Sequence, residues 1–255
     1  TRSPYIVALL LAVMIAALFS NTLDNEPTNW DDPALFTNKA YQGFTWEHVT
    51  YVLTVKEGAT YQPLRDLSYM IDFGLWGDRA VFGMHVQNIV LYILMIIACY
   101  GFLRRLLPVF HDDEDETYVW AVMASVLYAV HPVHVESVVW LFARKEPLLG
   151  VFSFLSLWAF LEGRLGSWHY YVLSIAALVL AAIAKPTAFV IPAVMFVLDI
   201  AIQMRLKEPG FWKRRLVVYL VMLAVVVPMS YRLVSMMLDI GGVKPYHGGS
   251  FWTNL

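Results

Sequence analysis

Two adjacent carboxylates are the first residues whose types and spacing suggest chemistry. Asp31 and Asp32 stand in Asn29-Trp30-Asp31-Asp32-Pro33, shortly past the first strongly apolar run. A carboxylate just outside a bilayer can take a proton from an incoming hydroxyl or bind a cation. Neighbouring carboxylates raise one another's pKa, which brings a base closer to neutral pH. The same residues also read as a solvated turn, because Asp-Asp-Pro is ordinary turn chemistry. Of the two, Asp32 is expected to face a cavity and Asp31 to support the loop.

A second group follows in His131-Pro132-Val133-His134-Val135-Glu136. On a helix His131 and His134 would share a face and Glu136 would point elsewhere. The spacing is not that of a zinc protease helix and no third ligand lies nearby, so these residues are expected to line a pocket rather than hold a metal. Arg144, Lys145 and Glu146 interrupt one apolar stretch, and Lys185 breaks another. Charges at membrane depth usually face a cavity or a partner. Cations there suit a lipid phosphate, although long side chains also snorkel to the headgroups. Tyr61, Arg65, His85 and Asn88 add polar groups on the same side. His85, Asn88 and Tyr92 recur at helical spacing, a stripe that faces a bundle interior either as helix–helix glue or as a substrate wall.

What must position these residues is a membrane bundle. Of the 255 residues 59% are hydrophobic and 15% charged, with a mean hydropathy of +0.60. A soluble domain carries about 25% charged residues. The net charge of −2 gives no argument for nucleic acid. The single cysteine, Cys99, excludes an internal disulfide. Roughly 20 mostly apolar residues span a bilayer as a helix. Runs of that kind occupy Pro4 to Ser20, Val81 to Leu103, Tyr118 to Val130, Pro147 to Leu161, His169 to Ala184, Thr187 to Ile202 and Leu216 to Arg232. The first, led by Arg2, lacks a small-residue cleavage motif and reads as a retained span. Val133 to Ala143 is apolar but too short to cross, and is expected as one helix along the interface.

The expected fold is therefore all-α and integral to the membrane, about seven spans with a large outer loop at 21–79 after the first. Trp30, Phe36, Tyr41, Phe44 and Trp46 are too many aromatic residues for a disordered tether, and Thr45-Trp46-Glu47-His48 reads as a helix start. Short loops carry Arg104 and Arg105, then Arg164, then Arg205, Lys207, Lys213, Arg214 and Arg215. That density places them, and the N-terminus, in the cytoplasm. Trp120, Trp158, Trp168 and Trp212 fall near span ends, as an aromatic belt requires. The Gly-rich stretch with Gly241, Gly242, Gly248 and Gly249 is expected outside, and the chain is expected to continue past Leu255.

The ordered set Trp30-Asp31-Asp32, Tyr61-Gln62-Pro63-Leu64, Gly83-Met84-His85-Val86-Gln87-Asn88 and His131-Pro132-Val133-His134-Val135-Glu136, then Arg144, resembles one family. It is similar to the O-mannosyltransferase-like membrane proteins with C-terminal tetratricopeptide repeats, in the GT-C glycosyltransferase superfamily. The similarity runs from about Trp30 to Asp199. This chain departs from the family pattern at Gln62, where Arg is usual, at Ala143, where Gly precedes the Arg, and at Ala184-Lys185-Pro186, where Ser-Lys-Glu is common.

The resemblance implies a GT-C-like transmembrane domain over 1–255 that moves a sugar from a polyprenyl-phosphate donor to a protein or glycan acceptor on the outer face. It implies Asp31 or Asp32 as general base, Arg144, Lys145 and Lys185 at the donor phosphate, and Tyr61, Arg65, His85, Asn88, His131, His134 and Glu136 lining the pocket. The membrane lipid is itself a partner in that reading. No cofactor is implied with certainty, and dependence on a divalent metal is left open. Two other readings stay open: a non-catalytic scaffold with a GT-C-like core, and a transporter with charges at the bilayer midplane.

Overall fold

The computed structural model describes residues 3–54, 61–207 and 211–239. Arg2, the glycines at 241–249 and the side chains of Trp212, Lys213 and Arg214 lie outside what it describes. The described residues form helices and no strands. Each apolar run of the sequence is helical: α1 (Pro4–Phe19), α5 (Ala80–Phe110), α6 (Glu114–Ala129), α8 (Lys145–Leu165), α9 (His169–Ala184), α10 (Ile191–Leu206) and α11 (Phe211–Asp239). Four stretches are long and apolar enough to cross a membrane: Pro4–Thr22, Pro63–Phe110, Leu141–Leu165 and Pro186–Leu206. A fifth arises if Glu114–Ala129 and Pro132–Val139, bent by 51°, are one span, and two shorter apolar helices cover His169–Ala184 and Arg215–Met229. These helices fit a multi-pass membrane protein.

Local chemistry explains several boundaries. Asp113 caps α6 by accepting the N–H groups of Asp115 and Glu116 at 2.9 and 3.0 Å. The acidic residues Glu114, Asp115 and Glu116 then sit in the first turn, where the helix dipole favours negative charge. Helices α8 and α9 pair through small residues: Ser156 and Ser174 each donate to the other's carbonyl, at 2.7 and 2.8 Å. Such residues let membrane helices approach closely.

The 21–79 loop is folded onto the bundle. It holds the short helix α2 (Pro33–Thr37), α3 (Trp46–Thr54) and α4 (Pro63–Trp76). Thr45 Oγ1 accepts the His48 N–H at 3.2 Å, so the expected helix start is present. Leu35, Tyr41, Val52, Tyr69 and Met70 form a core with Met84 and Leu141 beneath them. Gly77, with φ at 51°, ends α4. A straight helix through Pro63–Phe110 would be about 72 Å long, more than twice a bilayer core. Instead the chain turns back after α4, since Ser68 and Asp72 of α4 and Asn88 of α5 all bond one arginine, Arg144. The turn is tight: a Cβ at Gly83 would collide with the Trp76 ring.

The expected single helix over Val133 to Ala143 is corrected. The segment divides into a 3₁₀ turn at Pro132–His134, α7 (Val135–Val139) and a second 3₁₀ turn at Leu141–Arg144, with Trp140 extended between the last two. Asn88 Nδ2 reaches the carbonyls of Val138 and Trp140 at 3.2 and 3.5 Å, and the Tyr69 hydroxyl donates to that of Leu141 at 2.8 Å. Bonds from other helices thus replace the intrahelical ladder.

Candidate functional site

The segment around Arg144 and the start of the first loop meet at one end of the bundle. Asp32 is 1% exposed. One oxygen accepts the backbone N–H and hydroxyl of Thr28 at 2.8 and 2.9 Å, and the other accepts the Phe142 N–H at 3.1 Å. Asp31 is exposed. The arrangement is the reverse of the expectation: Asp32 fastens the loop and Asp31 offers a free carboxylate. The difference lies in the partners: Thr28 and the Phe142 N–H both reach Asp32, and the second comes from a segment 110 residues away.

Arg144 is fully buried. Its Nε donates to Asn88 Oδ1 at 2.7 Å, Nη1 to Gln87 Oε1 at 2.5 Å, to Ser68 Oγ at 3.3 Å and to Asp72, and Nη2 to the Met84 carbonyl at 3.0 Å. The guanidinium also lies 4.5 Å from the centre of the Tyr69 ring. With every nitrogen engaged, the side chain expected at a donor phosphate is instead a rivet between α4, α5 and the start of α8. Asp72, which supplies its counter-charge, was not singled out by sequence. The available signal was a second carboxylate in α4, one turn beyond Ser68 and flanked by Ile71 and Phe73.

Lys145 is half-buried and makes no ion pair within 4 Å among the described residues. It lies 5.3 Å from the centre of the Phe142 ring, and the Arg65 guanidinium is 4.6 Å from the same centre. Arg65 is buried and paired with Asp66 at 2.7 Å, yet its Nη1 has no hydrogen-bond partner. Asp31, Glu146 and Lys185 all lie within electrostatic reach of Lys145. Lys185 holds Glu146 at 2.6 and 2.8 Å, so its charge is already answered. The Tyr41 hydroxyl also touches the Arg65–Asp66 pair; burial, then the negative charge of Asp66, push its pKa up to about 12.

The remaining expected pocket residues divide. Asn88 is glue, as described, and Tyr92 donates to the Ala129 carbonyl at 2.8 Å. His85 is buried near Asp32 and the Asn25 carbonyl, and neither ring nitrogen has a well-formed bond. His131 is exposed, its Nδ1 accepting the Val133 N–H at 3.2 Å to cap the 3₁₀ turn. The His134 ring packs 4.4 Å from Tyr128, centre to centre. Glu136 is exposed. The Tyr61 hydroxyl donates to the Leu53 carbonyl at 2.8 Å and ties α3 to the start of α4. No three metal-ligating side chains gather among the described residues. The site therefore brings together Asp31, Arg65, Lys145, Glu146 and Lys185, while His131 and His134 stand at the turn before α7 and His85 is buried on α5 near Asp32.

No protein-family model matches the sequence, and no solved structure matches it. Curated proteins that it resembles include Protein O-mannosyl-transferase TMTC4 of Homo sapiens, 25% identical over 226 residues, 78% of this chain and 30% of that protein. Protein O-mannosyl-transferase TMTC2 of Homo sapiens is 25% identical over 228 residues, 82% of this chain and 26% of that protein. The TMTC2 protein of Mus musculus is 27% identical over 165 residues, 62% of this chain and 19% of its own length. The chain spans about a third or less of the curated relatives it matches. The similarity supports an O-mannosyltransferase-like relationship.

Proposed function

We propose that this chain is the membrane part of a GT-C-like glycosyltransferase, a bundle of about seven spans acting at the outer face, within a longer protein that carries tetratricopeptide repeats. The donor is a polyprenyl-phosphate sugar, taken as mannose from the names of the relatives, and the acceptor is a protein hydroxyl. Asp31 is the general base. It accepts the acceptor proton as the oxygen attacks the anomeric carbon, and the bond from that carbon to the lipid phosphate breaks. Lys145 receives the developing charge on the phosphate, assisted by the free Nη1 of Arg65.

The observation that carries this reading is the pairing of an exposed carboxylate with an unpaired, half-buried cation. Asp31 and Lys145 lie within electrostatic reach, beside a second cation whose Nη1 lacks a partner. Two cations flanking one ring without a full complement of counter-charge suit a phosphate. Transfer from a polyprenyl-phosphate sugar to an acceptor peptide, measured with Asp31→Asn, tests it. General-base contributions run about 10²–10⁴-fold, so the rate is expected to fall by that much in a chain that folds normally. Undiminished transfer by Asp31→Asn would remove the base assignment.

A further inference from the structure

We propose that the end of the bundle opposite Asp31 binds the phosphate headgroup of an anionic membrane lipid. Helix α1 carries the chain about 24 Å from Pro4 to Phe19, so its first turn lies far from the aspartates. At that turn a cavity of about 480 Å³ opens between α1, α5 and α8, lined by Tyr5, Tyr100, Gly101, Arg104, Arg105 and Trp158.

Three observations identify the occupant. Arg104 is half-buried beside the rings of Tyr100 and Tyr118, 5.9 and 5.8 Å from their centres, and makes no ion pair within 4 Å among the described residues. Arg105 is held by Glu162 at 2.8 Å, so among the described residues Arg104, Arg105 and Glu162 together leave one net positive charge at the cavity. Tyr100 is 3% exposed, lines the cavity, and its hydroxyl proton has no acceptor among the described residues. A guanidinium and an unused hydroxyl donor facing one space match the oxygens of a phosphate.

The walls favour a lipid over a free anion. Pro4, Ala8 and Ile97 complete the lining, and the adjoining face of α1 exposes Tyr5, Ile6 and Leu9. A ligand with a phosphate and an acyl chain satisfies both surfaces, and Trp158 and Tyr5 add to the lining the aromatic residue types that favour a membrane interface. None of the residues lining this cavity belongs to the site proposed for sugar transfer.

The test is native mass spectrometry of the full chain, released from nanodiscs of phosphatidylcholine and phosphatidylglycerol in equal amounts. The chain is expected to retain phosphatidylglycerol in preference to phosphatidylcholine. Arg104→Gln is expected to reduce that preference about tenfold, the weight of one charge-assisted bond of about 1.4 kcal/mol. Gly101→Leu serves as a second variant, since Gly101 lines the cavity and a Cβ there meets nothing within 4 Å. It too is expected to lose the preference, with its thermal unfolding unchanged. Absence of any preference in the unaltered chain, or its persistence in both variants, overturns the proposal. Displacement of the lipid by inorganic phosphate alone would assign the cavity to a free anion and overturn the lipid reading.

Discussion

Asp32 and Phe142 stand 110 residues apart in the chain and 3.1 Å apart in space, joined by a carboxylate oxygen and a backbone N–H. This bond, with those from Thr28, fixes the entry of the outer loop against the segment that leads into Lys145. Hydrogen bonds to a charged group contribute about 1.5–3 kcal/mol each. Asp32→Ala is therefore expected to lower the thermal unfolding temperature clearly, while Asp31→Asn leaves it unchanged. Equal unfolding temperatures for the two variants would contradict the division of roles between them.

Arg144→Gln is expected to destabilise the chain strongly. Removing one partner of a buried ion pair costs about 3–5 kcal/mol, because the other charge is left unanswered. Asp72→Asn placed on top of Arg144→Gln should then cost little or restore some stability. A double-mutant cycle in detergent measures the coupling, and purely additive losses would show that the pair does not act as a unit.

Lys145 and Lys185 are neighbours in space with different duties. Lys185 already holds Glu146, whereas Lys145 has no ion-pair partner among the described residues. Lys145→Gln is expected to raise the KM for the lipid-linked donor by about 10–100-fold, the equivalent of about 1.4–2.8 kcal/mol. Lys185→Gln should change it less. Steady-state kinetics with varied donor distinguishes them, and a larger effect at Lys185 would reassign the phosphate contact.

Tyr41 provides a pH signature outside the spans. Its folded pKa of about 12 exceeds the ordinary value of 10.0, so the native state holds the phenolic proton more tightly than the unfolded chain. The associated stability is complete below pH 10 and is lost as pH rises toward about 12. Unfolding measured across that window should show a falling slope that Tyr41→Phe removes. An unchanged slope in the variant would place the titration elsewhere.

How much of this was legible in the sequence depends on the range of each cause. The apolar runs became helices because a bilayer-length stretch of Leu, Ile, Val and Ala has few alternatives, and Thr45 marked the start of α3 by purely local chemistry. The segment from Val133 to Ala143 was misread because its carbonyls are taken by Asn88 and Tyr69, which lie 50 and 72 residues away from the carbonyls they bond. Periodicity carries no trace of such a donor. The same holds for Arg144: its position at membrane depth announced a partner, but Asp72 looked like one more polar residue in an amphipathic loop helix. At the other end, Arg164 read as an inside-loop charge, yet it is buried with Asp199 at 2.6 Å, and Tyr219 donates to the same carboxylate at 2.7 Å.

Lys145 follows the riveted Arg144 directly in the chain, and this has a mechanical consequence. The outer loop, through Ser68 and Asp72, and the candidate phosphate cation belong to a single stiff body. Moving α4 away from the bundle would break the bonds of Ser68 and Asp72 to Arg144, the residue directly before Lys145. If this end admits an acceptor as proposed, the expected route is rotation of outward side chains over a fixed α4, and ligands at the loop surface and at Lys145 are expected to influence each other through that helix.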